Sequence, residues 1–426
     1  MNEETIVIDK LVTTGQGLAT LPDGKKVFVW NALPGETVKI EITANKKSFA
    51  EAVATKVIKP SADRVAPLDT GAYLSTSPWQ ILSAEAEDRY KQAVLEEVFE
   101  QNVVPLTLQP FCSVEPRYGY RNKMEYSFWW DASVKKVRLA HFVRGSHERI
   151  VVDGSSLAMP GINEAGKLLI EFIAKHEIPS RELKGAVIRS QQDGKTFIEL
   201  RVINDRLATT MPWEKLKVAG LKLFAARRNA PSHMPVKFLA SWGESSMTDT
   251  LLGDKYTYGT DGFFQIHLPV YEKVLEDIKK FVTPRASVVD LYAGVGSIGM
   301  SVTKGPLTCV ESDSSSVEFA RQNLAKRKNA VIIDATSESA LGVIKKGSVL
   351  IVDPPRAGLH HKVIDRIVAE KPKSIVYLSC NPSTQARDLD LLTEAGYFVK
   401  FARGYNFFPA TPHVESLVIL DYNEKS

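Results

Sequence analysis

Cysteine is scarce in this chain of 426 residues, which contains only Cys112, Cys309 and Cys380. The three lie far apart and form no C-x-x-C pair, which argues against a disulfide framework and against a cysteine-rich zinc site. The eight histidines show no H-x-x-x-H or similar spacing of metal ligands. We therefore predict no metal site, and we expect Cys112 and Cys309 to be small, buried apolar side chains.

Long apolar runs and a strong excess of one charge are absent as well. No apolar run approaches the roughly 20 residues that a membrane-spanning helix needs, and the polar N-terminus MNEETIVID does not resemble a signal peptide. We expect a cytoplasmic protein without a membrane partner. A net charge of +4 permits nucleic acid as a partner without requiring it.

Three regions differ in their pattern of strands and helices. Residues 1–60 contain short strands separated by Gly and Pro turns, which predicts an OB-like β-barrel that binds RNA or only packs on its neighbour. The mixed pattern of residues 61–255 predicts an α+β RNA-binding domain. Its helix 83–101 is a candidate to pack on the C-terminal domain described next. Residues 256–426 alternate apolar strands with helices, which predicts an α/β fold with a Rossmann-like, doubly wound parallel sheet.

A glycine-rich loop follows the first strand of that sheet, in the segment DLYAGVGSIG. Gly294 and Gly296 belong to a G-x-G-x-x-G pattern, which nicotinamide and adenosyl cofactors share. Asp290 precedes the loop, where it can face a cationic amino-acid group, and Glu311 ends the next strand, where it can accept ribose hydroxyls. S-adenosyl-L-methionine carries that cation whereas NAD carries a pyrophosphate, so we predict the former, with a dehydrogenase as the alternative.

The next two strands also end in polar residues, at the edge where such sheets bind ligands. The segment VIID ends at Asp334, which is placed to approach an adenine. Asp353 ends the following strand before two prolines, which fix φ and can project the carboxylate rigidly into the cleft. A plain strand-ending turn is the alternative. Arg356 follows the prolines and is a candidate substrate contact.

The fifth strand ends at Cys380, and Glu415 precedes the closing strand in FPATPHVES. A thiolate is the best nucleophile that a side chain offers, and Glu415 is a carboxylate at the same sheet edge. We therefore predict that cofactor, nucleophile and base converge there. Upstream, GYRNKMEYSFWW places Arg121 and Lys123 among aromatic residues, a combination that suits flipped bases and phosphates.

Taken in chain order, these motifs resemble the RNA uracil-C5-methyltransferase family over nearly the whole sequence. The motifs that carry the resemblance are GYRNKMEYSF, DGFFQIH, DLYAGVGSIG, VDPPRAGL, LSCNPSTQARDL and FPATPHVESL. The N-terminal barrel is similar to the TRAM module, an RNA-binding appendage of that family. The resemblance implies a class I methyltransferase that uses S-adenosyl-L-methionine, acts on RNA and is a monomer.

The resemblance also implies roles for individual residues. Cys380 corresponds to the nucleophile and Glu415 to the base. Contacts with the cofactor or the target base are implied for Gln265, Tyr292, Ser297, Glu311 and Asp353. Because the target base must leave its stack to reach both cofactor and thiol, Phe263 or Phe264 is a candidate support for it.

The implied chemistry begins with addition of Cys380 to C6 of uracil, which makes C5 nucleophilic towards the sulfonium methyl. Glu415 then takes the C5 proton, and elimination of Cys380 restores the ring. We predict a uridine of 23S rRNA as the target because of the TRAM module. The alternatives are the uridine of the tRNA T-loop, an exocyclic amine, which the Asp-Pro-Pro turn favours, and an RNA-binding role without catalysis.

Three features depart from the family pattern. Ser297 and Asp334 occupy positions at which family members often carry Asn. Many relatives hold an iron–sulfur cluster with four cysteines, whereas this chain has LSTSPWQ at residues 74–80 and serines near Ser155. We therefore predict a protein without iron, which elemental analysis would test.

Overall fold

The first sheet of the computed structural model comes from the N-terminal region; the structure describes residues 4–102, 104–229 and 237–423. Its six strands are β1 (Glu4–Val7), β2 (Lys10–Leu11), β3 (Gly17–Thr20), β4 (Lys26–Trp30), β5 (Thr37–Asn45) and β6 (Phe49–Lys59). They are ordered β1-β5-β6-β4-β3-β2. Because side chains alternate along a strand, Val27 and Val29 of β4 are buried while Phe28 and Trp30 lie on the outer face.

A linker with two short helices leads from this sheet to a long helix. The elements are α1 (Tyr73–Thr76), a 3₁₀ helix (Pro78–Ile81), α2 (Ala84–Gln101) and β7 (Gln109–Cys112). The Ser83 hydroxyl caps α2 by accepting a hydrogen bond from the Ala86 backbone N–H at 3.2 Å. Leu95 and Phe99 of α2 pack in the apolar core of the C-terminal sheet.

The central region forms a seven-stranded sheet in the order β10-β9-β8-β11-β12-β13-β14. Its elements are β8 (Lys123–Asp131), β9 (Lys136–Phe142), β10 (Arg149–Val152), α3 (Pro160–Lys175), a 3₁₀ helix (Ser180–Glu182), β11 (Leu183–Ser190), β12 (Thr196–Val202), α4 (Leu207–Thr210), a 3₁₀ helix (Trp213–Lys215), β13 (Gly220–Ala225) and β14 (Lys237–Gly243). The apolar face of α3 packs on one side of this sheet. A hairpin of β15 (Ser246–Leu251) and β16 (Asp254–Gly259) follows.

The C-terminal sheet has eight strands in the order β19-β18-β17-β20-β21-β23-β22-β7. Its elements are α5 (Leu268–Phe281), β17 (Val288–Leu291), α6 (Ser297–Val302), β18 (Leu307–Glu311), α7 (Ser314–Leu324), β19 (Ala330–Asp334), a 3₁₀ helix (Leu341–Val343), β20 (Val349–Val352), α8 (His361–Glu370), β21 (Ser374–Ser379), α9 (Pro382–Glu394), β22 (Tyr397–Tyr405) and β23 (Glu415–Tyr422). Strands β17 to β21 pair in parallel, and β23 pairs antiparallel with β21. This topology confirms the predicted α/β fold class.

One strand of the C-terminal sheet comes from far upstream. Strand β7 pairs in parallel with β22, at the edge of the sheet, although it precedes the central sheet in sequence. Helix α2 and β7 therefore pack with the C-terminal sheet, while the predicted boundary at residue 255 stays a prediction. No helix within the described ranges combines the length and the apolar composition that crossing a bilayer requires.

Candidate active site

The glycine-rich loop joins β17 to α6 and is held by two carboxylates. The backbone N–H of Gly294 donates to Glu311 Oε2 at 2.8 Å, and that of Gly299 donates to Asp290 Oδ2 at 2.8 Å. Gly296 precedes α6 with φ of 82°, a left-handed conformation that favours glycine. The loop therefore turns tightly between the ends of β17 and β18.

Several carboxylates lie around this loop. Among the described residues, no basic side chain is close enough to offset the raised pKa values of Asp290 and Asp353. Burial raises the pKa of Asp290 to about 7, and the nearby Asp353 and Glu311 act in the same direction. Asp290 Oδ1 is buried and has no hydrogen-bond partner in the described structure. Burial also raises the pKa of Asp353 to about 7. A cationic ligand would relieve this repulsion, so the loop suits a sulfonium or ammonium group.

Two cavities meet at Tyr292 and together form what we call the cofactor cleft. One is lined by residues that include Phe263, Phe264, Gln265, Tyr292, Gly294, Ser297 and Asp353. The other, of about 750 Å³, is lined by residues that include Tyr292, Glu311, Ser312, Ser337 and His360. The structure therefore brings most of the predicted cofactor contacts to one cleft. Asp334 does not line either cavity; it is exposed and lies 3.9 Å from Arg321.

Two hydrogen bonds position residues of this cleft. The hydroxyls of Ser297 and Tyr271 are 2.7 Å apart, and Tyr271 lines the same cavity from α5. Asn122 Nδ2 donates to the backbone carbonyl of Gln265 at 3.0 Å. Tyr271 could not be recognised from the sequence, because its position within an ordinary amphipathic helix carries no motif.

Cys380 and Glu415 lie opposite each other on neighbouring strand ends. Ser379, the last residue of β21, pairs with Ser416 of β23. Cys380, which follows β21, and Glu415, the first residue of β23, therefore share the same edge of the sheet. Burial raises the pKa of Cys380 to about 11, with Glu415 and Asp353 adding to the shift. Burial and Asp353 likewise hold the pKa of Glu415 well above its usual range.

Arg356 opposes these shifts in both groups. Its positive charge favours the thiolate of Cys380 and the carboxylate of Glu415. The guanidinium also lies 3.3 Å from His413 Nδ1. Arg356 thus joins Cys380 and Glu415 in one electrostatic group with Asp353.

Cys380 opens onto a separate cavity of about 510 Å³, which we call the nucleophile cavity. Its wall comes from three parts of the chain. The lining residues include Thr13, Thr14, Gln16, Trp30 and Glu51 of the first sheet, Arg144 of the β9–β10 loop, and Arg356, Cys380, Asn381, Pro412 and His413 of the C-terminal sheet. Trp30 and Arg144 could not be recognised from the sequence, since neither belongs to a motif near the other lining residues.

The loop before Glu415 is anchored by a buried ion-pair network on α2. Glu87 accepts a hydrogen bond from the Ala410 backbone N–H at 2.9 Å and from Lys91 Nζ at 2.7 Å. Lys91 Nζ also donates to Asn406 Oδ1 at 2.7 Å, and Arg117 lies 2.9 Å from Glu87. Because an unpaired charge in this network would be costly to bury, α2 fixes the segment that leads to Glu415.

Two predicted substrate contacts lie outside the cavities. Arg121 donates from Nε to the carbonyl of Lys123 at 3.1 Å, and burial lowers the pKa of Lys123 to about 8 with Arg189 adding to the shift.

The two phenylalanines that were predicted to support the target base, Phe263 and Phe264, differ in accessibility. Phe263 is 64% exposed, whereas Phe264 is 3% exposed and stacks on Tyr258 with ring centroids 4.1 Å apart. Phe263 is therefore the better placed to touch a base.

The segments singled out for missing cysteines form a partly buried hydrogen-bond network around Asp69. The Ser156 backbone N–H, the Ser155 hydroxyl and Gln80 Nε2 donate to its carboxylate at 3.0 to 3.2 Å. Gln80 Nε2 also reaches the Ser77 hydroxyl at 2.7 Å. Within the described ranges, no three His, Cys, Asp or Glu side chains are grouped as metal ligands. The absence of iron stays a prediction.

Two family models match the sequence. Residues 2–55 match the TRAM domain, and residues 340–423 match the tRNA (Uracil-5-)-methyltransferase family. The second match includes both Cys380 and Glu415.

Relatives and a solved structure match nearly the whole chain. An uncharacterized RNA methyltransferase of Halalkalibacterium halodurans is 28% identical over 99% of this chain and 96% of its own. The 23S rRNA (uracil(1939)-C(5))-methyltransferase of Halomonas elongata is 29% identical over 99% of this chain and 90% of its own. The fold matches that of Pyrococcus abyssi tRNA (uracil-54, C5)-methyltransferase, solved with S-adenosyl-L-homocysteine, with a TM-score of 0.80 and 23% identity over 98% of this chain and 100% of that chain. Residues 340–423 therefore form a domain of the tRNA (Uracil-5-)-methyltransferase family, residues 2–55 form a TRAM domain, and the chain is similar over nearly its whole length to RNA methyltransferases.

Proposed function

We propose that this enzyme methylates C5 of one uridine in 23S rRNA through a covalent bond between Cys380 and C6 of the uracil. The observation that carries the proposal is the position of Cys380 and Glu415 on facing strand ends. Cys380 lines the nucleophile cavity together with Arg144 and Arg356, and Asp353, which acts electrostatically on both Cys380 and Glu415, lines the cofactor cleft. A polyanionic substrate and a cationic cofactor can therefore both come close to this pair.

The cofactor cleft suits S-adenosyl-L-methionine in charge. Asp353 and Asp290 supply negative charge near the glycine loop, and Glu311 lines the larger cavity with Tyr292. When bound, the cofactor supplies a methyl group on a cationic sulfonium. Asp353 contacts the cleft and also acts electrostatically on Cys380 and Glu415, so it connects cofactor binding to the nucleophile.

The reaction needs a nucleophile and a base at the same uracil. The Cys380 thiolate adds to C6, and the electron pair of the C5–C6 double bond shifts towards C5 and O4. C5 would then form a bond to the methyl carbon while the bond between that carbon and the sulfonium sulfur breaks, which leaves a neutral thioether and a C5 that carries both the methyl group and its hydrogen. Glu415 removes the C5 hydrogen as a proton, the C5–C6 double bond re-forms, and Cys380 leaves as a thiolate.

The raised pKa values of both groups give the cofactor a second role. With the cleft free of a cation, Cys380 is a thiol at neutral pH because its pKa is about 11. Burial is the main cause of both raised pKa values and Asp353 adds to them, so a positive charge near Asp353 offsets part of the rise and favours ionisation of both Cys380 and Glu415. Arg356 acts in the same direction. The nucleophile is therefore best activated when the cofactor is in place.

The choice of rRNA as the substrate rests on the TRAM domain and on the Halomonas elongata relative, which modifies 23S rRNA. The alternative is a tRNA uridine, which the Pyrococcus abyssi protein modifies. Both targets require the same chemistry at Cys380 and Glu415.

Tritium at C5 of uridine provides the test. Transcripts of 23S rRNA domains and of tRNA, each made with [5-³H]uridine, are incubated with the enzyme and S-adenosyl-L-methionine. We expect one tritium released to water for each methyl group transferred, and only with the rRNA. Release only from tRNA would overturn the proposed target. Methyl transfer without tritium release would overturn C5 chemistry and favour an exocyclic amine.

A further inference from the structure

His413 lies beside the catalytic pair, in the loop that leads into β23. It comes two residues before Glu415 and lines the nucleophile cavity together with Cys380. The side chain is exposed, so a molecule in the cavity can reach the ring. Because two residues span at most about 7 Å of chain, His413 is within reach of a base held between Cys380 and Glu415.

The His413 ring is held by contacts on two sides. Arg356 Nη2 lies 3.3 Å from its Nδ1, and the Phe408 ring packs edge-on against it with ring centroids 5.6 Å apart. Arg356 is itself held next to the nucleophile, because its backbone carbonyl accepts a hydrogen bond from Asn381 Nδ2 at 2.8 Å. Arg356 and His413 therefore form part of the cavity wall that carries Cys380.

The contact with Arg356 determines which nitrogen of the imidazole carries the proton. A guanidinium only donates hydrogen bonds, so Nδ1 of His413 accepts and the single N–H of the neutral ring is on Nε2. Desolvation lowers the pKa of His413 to about 4, and Arg356 adds to the shift, so the ring is neutral at physiological pH. Within the described ranges the Nε2–H has no hydrogen-bond partner, so it can donate to a bound base.

We infer that His413 donates a hydrogen bond from Nε2 to O4 of the target uracil and stabilises the enolate that forms when Cys380 adds to C6. In that step the thiolate forms the bond to C6, the π pair of the C5–C6 bond moves to C4–C5, and the π pair of the C4 carbonyl moves onto O4. When C5 accepts the methyl group, the pair on O4 returns and restores the carbonyl. No proton leaves His413, so the ring ends the reaction unchanged. This inference rests on the proposed function.

The order of atoms in the uracil ring favours O4 over O2 as the acceptor. C6 must lie at Cys380, and C5 must lie near Glu415, which takes its hydrogen. O4 is attached to the neighbour of C5, whereas O2 lies across the ring from C5. A donor two residues from Glu415 is therefore nearer to O4. This oxygen is also the one that gains negative charge, which a donor fixed in advance stabilises most effectively.

Two substitutions of His413 separate hydrogen bonding from packing. His413→Phe keeps a ring against Phe408 but removes the N–H, whereas His413→Gln keeps an N–H and removes the ring. In single-turnover methyl transfer we expect His413→Phe to be about 10²-fold slower than the wild type and His413→Gln no more than about tenfold slower, as for loss and partial replacement of one oxyanion donor. A wild-type rate in His413→Phe, or a slower rate in His413→Gln than in His413→Phe, would overturn the inference, because packing alone would then explain the site.

Binding measurements and a matched control accompany these rates. The Kd of a fluorescein-labelled oligouridylate, measured by fluorescence anisotropy, should change by less than about threefold in His413→Phe, since the hydrogen bond strengthens only when O4 becomes charged. His176→Phe is the control, because His176 also packs its ring on a phenylalanine, Phe172, but lies in the central region. Its rate should equal that of the wild type. A rate defect in His413→Phe that is wholly explained by weaker RNA binding would contradict a contact made in the enolate.

The position of the contact is tested by replacing the target uridine of the substrate RNA with 4-thiouridine or 2-thiouridine. Sulfur is a weaker hydrogen-bond acceptor than oxygen. The loss of rate caused by His413→Phe should therefore shrink from about 10²-fold to less than about tenfold with 4-thiouridine and stay the same with 2-thiouridine. An equal loss with all three bases, or a smaller loss only with 2-thiouridine, would overturn the assignment to O4.

The state of the ring is tested without catalysis, by NMR of the full chain with ¹⁵N-labelled histidine. The signals of His413 are those that disappear in His413→Gln. We expect a neutral imidazole with its proton on Nε2 at neutral pH. A cationic ring or a proton on Nδ1 would overturn the inference even in an active enzyme. The expected tautomer in a protein that releases no tritium from any transcript would instead overturn the proposed function, and the role of His413 in that reaction with it.

Discussion

The two sides of the catalytic strand ends differ in charge and in construction. The cofactor cleft is lined by carboxylates and is built almost wholly from the C-terminal sheet and the loop that precedes it. The nucleophile cavity is lined by Arg144 and Arg356 and is built from three distant parts of the chain. Each side has the charge opposite to that of its proposed ligand. Cys380 and Glu415 are affected by both sides, through Asp353 of the cleft and Arg356 of the cavity.

This difference shows how one protein can hold a cation and a polyanion close together. Burial raises the pKa values of Cys380 and Glu415 and Asp353 of the cleft adds to the rise, whereas Arg356 opposes it. In the absence of a cofactor cation, the acidic side prevails and the thiol stays protonated. We therefore predict that substitutions in the cofactor cleft change binding of S-adenosyl-L-methionine and leave RNA binding intact, and that substitutions in the nucleophile cavity do the reverse.

The largest effect on methyl transfer is expected from substitution of Cys380. Cys380→Ala should lower methyl transfer by at least about 10³-fold, since no other side chain replaces a nucleophile that acts with its base. Affinities for S-adenosyl-L-methionine and RNA should be retained, as measured by calorimetry and anisotropy. Cys112→Ala is the matched control and should stay active. Substantial turnover by Cys380→Ala would remove the covalent step from the account.

Glu415→Gln should lower turnover by about 10²- to 10⁴-fold, the range for loss of a general base. Because addition and methylation precede proton removal, this variant should accumulate a covalent complex with natural RNA, without any uridine analogue. Denaturing electrophoresis would show the complex as a shifted band. The double variant Cys380→Ala, Glu415→Gln should lack the band, and a band that persists there would place the bond on another residue.

The acidic side of the comparison is tested by a pair of aspartates. Asp353→Asn should weaken binding of S-adenosyl-L-methionine by about 10- to 100-fold, the effect of losing a contact with a charged group. Oligouridylate binding should not change. Asp334→Asn is the matched variant, because Asp334 was predicted from the sequence to bind the cofactor but lies outside the cleft. Calorimetry that finds equal losses for both would contradict the assignment of the cleft.

The smallest effect concerns the reactivity of the thiol. A thiol with a pKa of about 11 is mostly protonated at pH 8, so alkylation of Cys380 by iodoacetamide should quicken about tenfold per pH unit up to that value. S-adenosyl-L-methionine should increase the rate at pH 8, since its positive charge favours the thiolate. Mass analysis of the Cys380 peptide would measure this. A rate that is independent of pH and of cofactor would contradict the electrostatic link.

The cofactor side could largely be predicted from the sequence. Apolar strands that alternate with helices indicate a parallel sheet, and the polar residue after each strand then lies at one edge. Gly294, Ser297, Glu311 and Asp353 all follow this rule and meet in the cleft. Asp334 follows it too, yet it lies outside because β19 is the outermost strand of the sheet.

The RNA side could not be predicted in this way. Trp30 and Arg144 are brought to Cys380 by the packing of separate regions, which no local pattern encodes. Arg144 reaches Trp30 because the linker carbonyl of Leu74 holds its guanidinium. The assignment of β7 to the C-terminal sheet has the same origin, since its partner β22 is almost 300 residues away along the chain.

The central claim is that Cys380 bonds covalently to the target uracil. The most direct test is denaturing mass analysis after incubation of the enzyme with S-adenosyl-L-methionine and RNA that contains 5-fluorouridine, because fluorine at C5 blocks the final removal of a proton. We predict an adduct that contains protein, RNA and one added methyl group, mapped to Cys380. The absence of any adduct, from protein shown to bind both S-adenosyl-L-methionine and RNA, would contradict the account.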